Sequence, residues 1–183
     1  MDLTGKIIVS MPSLQDERFF KTVIYMCAHS SDGSMGIIIN KKIDYDLYPD
    51  LLEQLGIDKP LNNTKLFVRY GGPVESGRGF VLHSDDLIQK ESINIQKGVA
   101  LTSTAKFFED LSVGKGPRNS ILALGYAGWG PGQLEDEIIQ NSWMTLSADT
   151  SFLFDEEVSR KWKEAYKIIG IDPNNLSHKS GRA

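Results

Sequence analysis

A lone thiol, two imidazoles and one guanidinium carry the chemistry most readily imagined for this chain. Cys27 and His29 stand two apart at the end of the apolar run Thr22-Val23-Ile24-Tyr25-Met26-Cys27-Ala28. Residues two apart share a face of a regular strand, so the pair could form a nucleophilic thiol beside an imidazole base. No orienting third group or thiolate-stabilising cation follows in sequence, and a single cysteine in such a run reads more simply as a small buried hydrophobe. Arg78 and His83 flank Gly79-Phe80-Val81-Leu82, shortly after Tyr70-Gly71-Gly72-Pro73-Val74. That spacing suits either strand-end polar residues around a Pro-fixed corner or a backbone nest that receives an anion beside Arg78.

The densest unusual segment is Gly125-Tyr126-Ala127-Gly128-Trp129-Gly130-Pro131-Gly132-Gln133-Leu134-Glu135. Its glycines permit tight turns and close approach of a ligand to the backbone. A helix starting just after it would present N–H groups to an anion. The Walker-A Lys and Ser/Thr are absent, however, and Glu135, Asp136 and Glu137 would repel phosphate. The reading that competes is a rigid corner between a central strand and a helix, with an exposed Trp129 packed on it. The histidines are His29, His83 and His178; no HExxH or zinc spacing joins them. No metal and no cofactor are expected. A G-x-S-x-G elbow is missing, and Ser34 in Gly33-Ser34-Met35-Gly36 resembles one only loosely.

These groups need a scaffold, and 183 residues are enough for one. A chain of this length buries roughly 70% of its unfolded surface and needs no disulfide or metal to hold a core. One cysteine excludes an intrachain disulfide framework. Net charge is −4, which argues against broad contact with a nucleic-acid backbone, since such contact runs on Lys and Arg. Met1 to Val9 does not read as a signal peptide, and no apolar stretch is long enough to span a bilayer. A cytoplasmic protein making no membrane contact is the expectation.

Strand signals dominate the first half: Lys6–Ser10, Lys21–Ala28, Met35–Asn40, Lys65–Tyr70 and Gly79–His83. The second and third are expected to pair as a hairpin around Gly33. Ser92–Gln96, Val99–Leu101, Ser120–Leu124 and Trp143–Leu146 follow. Helices are expected at Asp46–Leu55, Thr102–Leu111, Leu134–Gln140 and, with the clearest apolar stripe, Asp155–Ile169 capped by Asp155 and Gly170. Its supporting pairs would be Glu156–Arg160 and Glu157–Lys161. Helices do not alternate with strands, so the expectation is an α+β domain with a mixed or antiparallel sheet, not a doubly wound one. The domain is expected to fill residues 1–172, with 173–183 as a flexible tail.

Taken together, the blocks resemble the AlgH/YqgE family of bacterial proteins. The matching segments are Gly5, Met11-Pro12-Ser13, Asp16-Glu17-Arg18, Phe19 to Tyr25, His29, Met35 to Asn40, Gly71 to Val74, Phe80 to His83, and Gly125 to Glu135 with Glu137, Asn141 and Trp143. Lys41-Lys42 departs from the family's Arg-Pro and puts a Pro-defined turn there in doubt. The resemblance implies one α+β domain with a bent sheet and flanking helices. It implies a transcriptional-regulator label that stems from an effect on alginate production, and no family-wide reaction. Members are encoded near a Holliday-junction-resolvase-like nuclease, which points to a protein partner.

The resulting expectation is a non-enzymatic regulatory or interaction protein that binds a partner protein or a small molecule. The alternatives are direct DNA contact, disfavoured by charge, and an enzyme built on His/Cys or His/Arg. Candidate binding residues are Arg18, His29, Asn40, Gly71, Gly72, Arg78, His83, Trp129, Gln133, Glu135 and Asn141. They are polar groups mounted in or near rigid glycine corners.

Overall fold

In the computed structural model, residues 2–43, 53, 55, 68–147, 149–155 and 157–176 are described. The helix expected at Asp46–Leu55, the start of the Lys65–Tyr70 strand and positions 177–183 of the expected tail lie outside them, apart from two positions of that helix. The strands are β1 (Ile7–Ser10), β2 (Val23–Ser30), β3 (Gly33–Ile38), β4 (Val68–Tyr70), β5 (Val74–His83), β6 (Ile93–Gln96), β7 (Val99–Thr102), β8 (Ser120–Trp129) and β9 (Trp143–Leu146). Helices are α1 (Ala105–Ser112), α2 (Gln133–Ile139), α3 (Thr150–Phe154) and α4 (Lys161–Ile169). The nine strands form one sheet in the order β6-β7-β5-β8-β3-β2-β1-β9, with β4 on β8. All pairings between these strands are antiparallel except β4 with β8. This is the α+β single-domain architecture the sequence leads one to expect.

β8 is the pivot. The expected strand stopped at Leu124, but the chain continues extended through the glycine block to Trp129. β5 runs along one side of it from Ser120 to Tyr126, while the other side is shared by β4 at Leu122–Leu124 and β3 at Ala127–Trp129. Gly125 sits at the changeover with φ +69, a conformation that inserts one residue out of phase. The side-chain alternation therefore switches. Ile121 and Ala123 join one core, while Leu122 and Leu124 before the switch, and Ala127 and Trp129 after it, face the other side.

That parity organises the layers. One sheet face packs Val9, Tyr25, Ile37 and Leu82 under Trp162, Ala165 and Tyr166 of α4. On the opposite face, Phe107, Phe108 and Leu111 of α1 cover Val81 and Leu122. Leu134 of α2 covers Ile24, Met26 and Trp143 on that same side. The β2–β3 hairpin turns at Gly33 as expected, with φ +134.

The long helix expected from Asp155 is shorter. Asp155 ends α3 instead of starting α4, and its Oδ1 accepts from the Glu157 amide at 3.0 Å. The cause is Lys161, which is fully buried and donates from Nζ to the Phe152 carbonyl, one of the unpaired carbonyls at the end of α3. The chain must turn to bring that ammonium back. Burial pushes its pKa down to about 8. Glu157 pairs with Arg160 (3.9 Å), not with Lys161.

Candidate functional site

α4 covers only part of its sheet face. Beyond it, side chains from β3, β5, β7 and β8 line an open groove. One half, of about 420 Å³, runs past Ala28, Ser34, Met35, Val74, Gly128 and Trp129. The other half, of about 380 Å³, runs past Arg78, Phe80, Ile93, Leu101 and Ser103. Met35 and Tyr126 line both halves. Each volume falls in the range of small-ligand sites. The floor is apolar: Phe80 and Tyr126 meet edge to face with centroids 5.6 Å apart, and Ile93 on the rim is 61% exposed.

Arg78 is the cation of this groove. Its Nη1 lies 2.9 Å from Glu75 Oε2, its Nε donates to Ser103 Oγ at 3.2 Å, and the guanidinium sits 5.0 Å from the Phe80 ring centre. The Tyr126 hydroxyl reaches the other Glu75 oxygen at 3.5 Å. Glu75 holds φ +47, costly for a residue with a side chain, and lies where β5 shifts register between Val74 and Gly79. Such bulges re-aim side chains beside sites. The pair is more than one-third exposed, so it exchanges partners at small cost.

The Gly125–Glu135 block runs from the groove, where Tyr126, Gly128 and Trp129 border it, to α2 on the other side of the sheet. Trp129 is buried, not exposed as expected, with 7% of its surface accessible. Its indole Nε1 donates to Glu137 Oε2 at 3.0 Å, and Gln133 Nε2 donates to Glu137 Oε1 at 2.9 Å. Gln133 Oε1 accepts from the Gly130 amide at 3.0 Å. The anion reading therefore fails: α2 has two turns, Glu135 and Asp136 occupy its first turn, and the loop amide is already used. His29 closes the hairpin end. Its Nδ1 lies 2.8 Å from Ser34 Oγ, and its Nε2 lies 3.3 Å from Glu135 Oε1.

The Cys27–His29 pair is not assembled. β2 carries a bulge between Met26 and Ala28, so Ala28 rather than Cys27 pairs with Met35, and His29 pairs with Ser34. Cys27 packs with Tyr25 in the core under α4, while His29 reaches α2 on the other face. Burial drives the thiol pKa up to about 12. Among the described residues, no group of three or more His, Cys, Asp or Glu side chains is arranged to hold a metal ion.

Five of the candidate residues are fasteners of the fold. Asn40 Oδ1 accepts from the Val23 amide at 2.8 Å, and its Nδ2 donates to the Lys21 carbonyl at 2.9 Å. Asn141 takes φ +57 after α2, with its amide on the Ile138 carbonyl and the Ser142 amide on the Glu137 carbonyl, which is the Schellman arrangement. Gly71 and Gly72 let two backbones cross: a Cβ on Gly71 would lie 2.2 Å from the Gly125 carbonyl oxygen. The anion nest expected there is filled by protein.

His83 is fully buried and stacks at 4.5 Å on Phe107. Its Nδ1 must donate to the Ser84 carbonyl (2.9 Å), so in the neutral ring Nε2 accepts from the Thr102 hydroxyl (2.8 Å). Arg18 stands apart on the surface, held by Asp16 at 2.7 Å and lying 5.7 Å from the Phe19 ring centre. Of the expected residues, then, Arg78 and Trp129 line the groove, while His29, Gln133 and Glu135 lie outside its lining, at α2 on the other side of the sheet. Met35, Tyr126, Glu75 and Ile93 were missed. Met35 and Tyr126 sit in segments that read as a plain strand and a glycine corner, and nothing in the sequence marks Glu75 as left-handed.

A mostly antiparallel α+β sheet with helices on both faces and one partly uncovered face defines a single-domain scaffold with a surface groove. The chain belongs to the AlgH-like family, whose profile matches residues 7–174. It is 46% identical to a UPF0301 protein of Bradyrhizobium diazoefficiens, over 99% of this chain and 88% of that one. It is 45% identical to a UPF0301 protein of Jannaschia sp., over 100% and 96% respectively. The solution structure of the AlgH protein from Pseudomonas aeruginosa superposes with a TM-score of 0.81 at 33% identity, covering 100% of this chain and 97% of that one. Protein DIP2367 from Corynebacterium diphtheriae shares the fold, with a TM-score of 0.70 at 18% identity, over 91% and 86%. The resemblance read from the motif blocks is borne out. No helix among the described residues is long and apolar enough to cross a membrane.

Proposed function

We propose that this is a cytoplasmic, non-enzymatic binding protein with a regulatory role, and that the groove over Met35, Phe80 and Tyr126 is where its ligand lies. The observation that carries the reading is the uncovered half of a sheet face. An apolar floor is left open there, and one cation, Arg78, is poised on it by a strained Glu75. Apolar surface with a few placed polar groups is the usual make-up of a binding site. The occupant is a small molecule or a partner's chain segment with an apolar body and an acidic group, the latter displacing Glu75 from Arg78. The groups best suited to covalent or acid–base work are withdrawn: Cys27 and His83 are buried, and His29 is engaged on both nitrogens.

The test is a thermal-shift screen of medium-chain carboxylic acids and short apolar peptides with C-terminal carboxylates. Ligand at a hundred times its Kd stabilises by about 2.7 kcal/mol. Arg78→Ala is expected to erase the shift for the acids and retain it in part for their amides. A shift that is indifferent to Arg78→Ala counts against the reading.

A further inference from the structure

A second hollow, of about 980 Å³, lies where α4 and the segment after it meet the loop before β2. Its apolar surface comes from Pro12, Trp162, Ile171, Pro173 and Leu176. Three lysines converge on it. Lys163 and Lys167 stand one turn apart on α4, a spacing at which like charges repel. Lys21 comes from the other wall, held at φ +49 by the Asn40 amide on its carbonyl, with its ammonium 5.7 Å from the Trp162 ring centre. None of the three forms an ion pair among the described residues. The one acid in the lining, Asp172, accepts from the Asn174 amide at 2.9 Å. In a chain of net charge −4, this concentration of unneutralised cations around an apolar floor asks for a counter-charge.

The donor types decide which kind. A compact phosphate is held best by an Arg fork or a nest of backbone N–H groups. The hollow's lining contains no Arg, and the Gly170 and Ile171 amides are spent on the Lys167 and Tyr166 carbonyls at 3.0 and 3.1 Å. Lysines on flexible stems suit carboxylates spread along a chain, and the Pro and Trp surfaces suit apolar side chains between them. We infer that this hollow docks an acidic segment of a partner protein, an extended stretch in which Asp or Glu alternates with apolar residues. This surface is separate from the sheet groove and does not depend on its occupant.

Fluorescence anisotropy of a fluorescein-labelled peptide repeating Glu-Leu-Pro, with a Lys-Leu-Pro peptide as control, tests the inference on the full chain. The acidic peptide is expected to bind, to weaken as salt rises, and to lose about tenfold or more in affinity in Lys163→Glu/Lys167→Glu. A smaller loss is expected in Lys163→Ala/Lys167→Ala, and none in Arg78→Ala. These lysines are exposed, so the variants should melt as the parent does. Absence of acidic-peptide binding, equal binding of the lysine peptide, or affinity unchanged in the charge-reversed variant would overturn the inference. So would tripolyphosphate that binds at these lysines when the peptide does not.

Discussion

Trp129 and Trp143 donate their indole N–H groups to the same oxygen, Oε2 of Glu137, at 3.0 and 2.7 Å. Their rings meet edge to face at 5.9 Å, tying the end of β8 to β9 through α2. Both indoles are nearly inaccessible to water. Glu137→Ala strands two buried donors, each costing about 1–3 kcal/mol. The expected loss is about 2–6 kcal/mol in urea unfolding, with tryptophan emission shifted in the folded state. A loss within about 0.5 kcal/mol, the usual range of a surface change, would show that the carboxylate does not hold β8, α2 and β9 together.

Gly72 and Gly77 make a matched pair of substitutions. A Cβ on Gly72 would lie 2.1 Å from the Tyr126 carbonyl carbon, and its φ is +152; a Cβ on Gly77 meets nothing within 4 Å. Gly72→Ala must separate two backbones at the pivot of β8 and is expected to cost more than about 4 kcal/mol or to abolish soluble expression. Gly77→Ala is expected to change stability by no more than about 1 kcal/mol, through the entropy of the unfolded chain. Thermal melts of the two variants give the comparison.

Much of this was legible in the sequence for physical reasons. Strands β1, β6, β7 and β9 are bounded nearly correctly because their apolar runs end at turn-forming residues; the helix expected from Thr102 begins at Ala105, since Thr102 closes β7 and Thr104 is the cap. The errors fall where tertiary contacts override local pattern. Gly125 and the bulge at Cys27 each reverse which face the following residues occupy, and a one-residue slip reverses every assignment beyond it. Lys161 looked like the solvent half of an i,i+4 pair but is drawn inside by a carbonyl nine residues back. Among the candidate residues, polarity identified Arg78. It could not separate Asn40, Asn141 and His83, whose hydrogen bonds are spent inside the fold, from groups free to meet a ligand.

His83 gives the fold a pH dependence with a definite sign. Burial holds its pKa below the usual imidazole value. The unfolded chain therefore takes up the proton first, and the contribution to stability is complete above about pH 6.5 and lost as pH falls through the lower folded value. In His83→Gln this component is absent. The urea midpoint of the parent is expected to fall more than that of the variant between about pH 7.5 and about pH 5. Parallel curves would mean that the imidazole is not held neutral.

Cys27 should be chemically silent. A buried thiol with its pKa at about 12 leaves about one part in ten thousand as thiolate at pH 8. Ellman's reagent is expected to modify it only after unfolding, at a rate that follows denaturant. Prompt reaction of the native protein would reopen the thiol as a nucleophile.

The claim that the sheet groove is the binding surface is tested most directly by amide chemical-shift mapping of ¹⁵N-labelled protein, titrated with the strongest carboxylic acid from the thermal screen. The expected result is a saturable set of shifts confined to Met35, Arg78, Phe80, Ser103, Tyr126 and Gly128, lost in Arg78→Ala. Shifts centred on another surface, or a spectrum unmoved by every acid and apolar peptide in the panel, would contradict it.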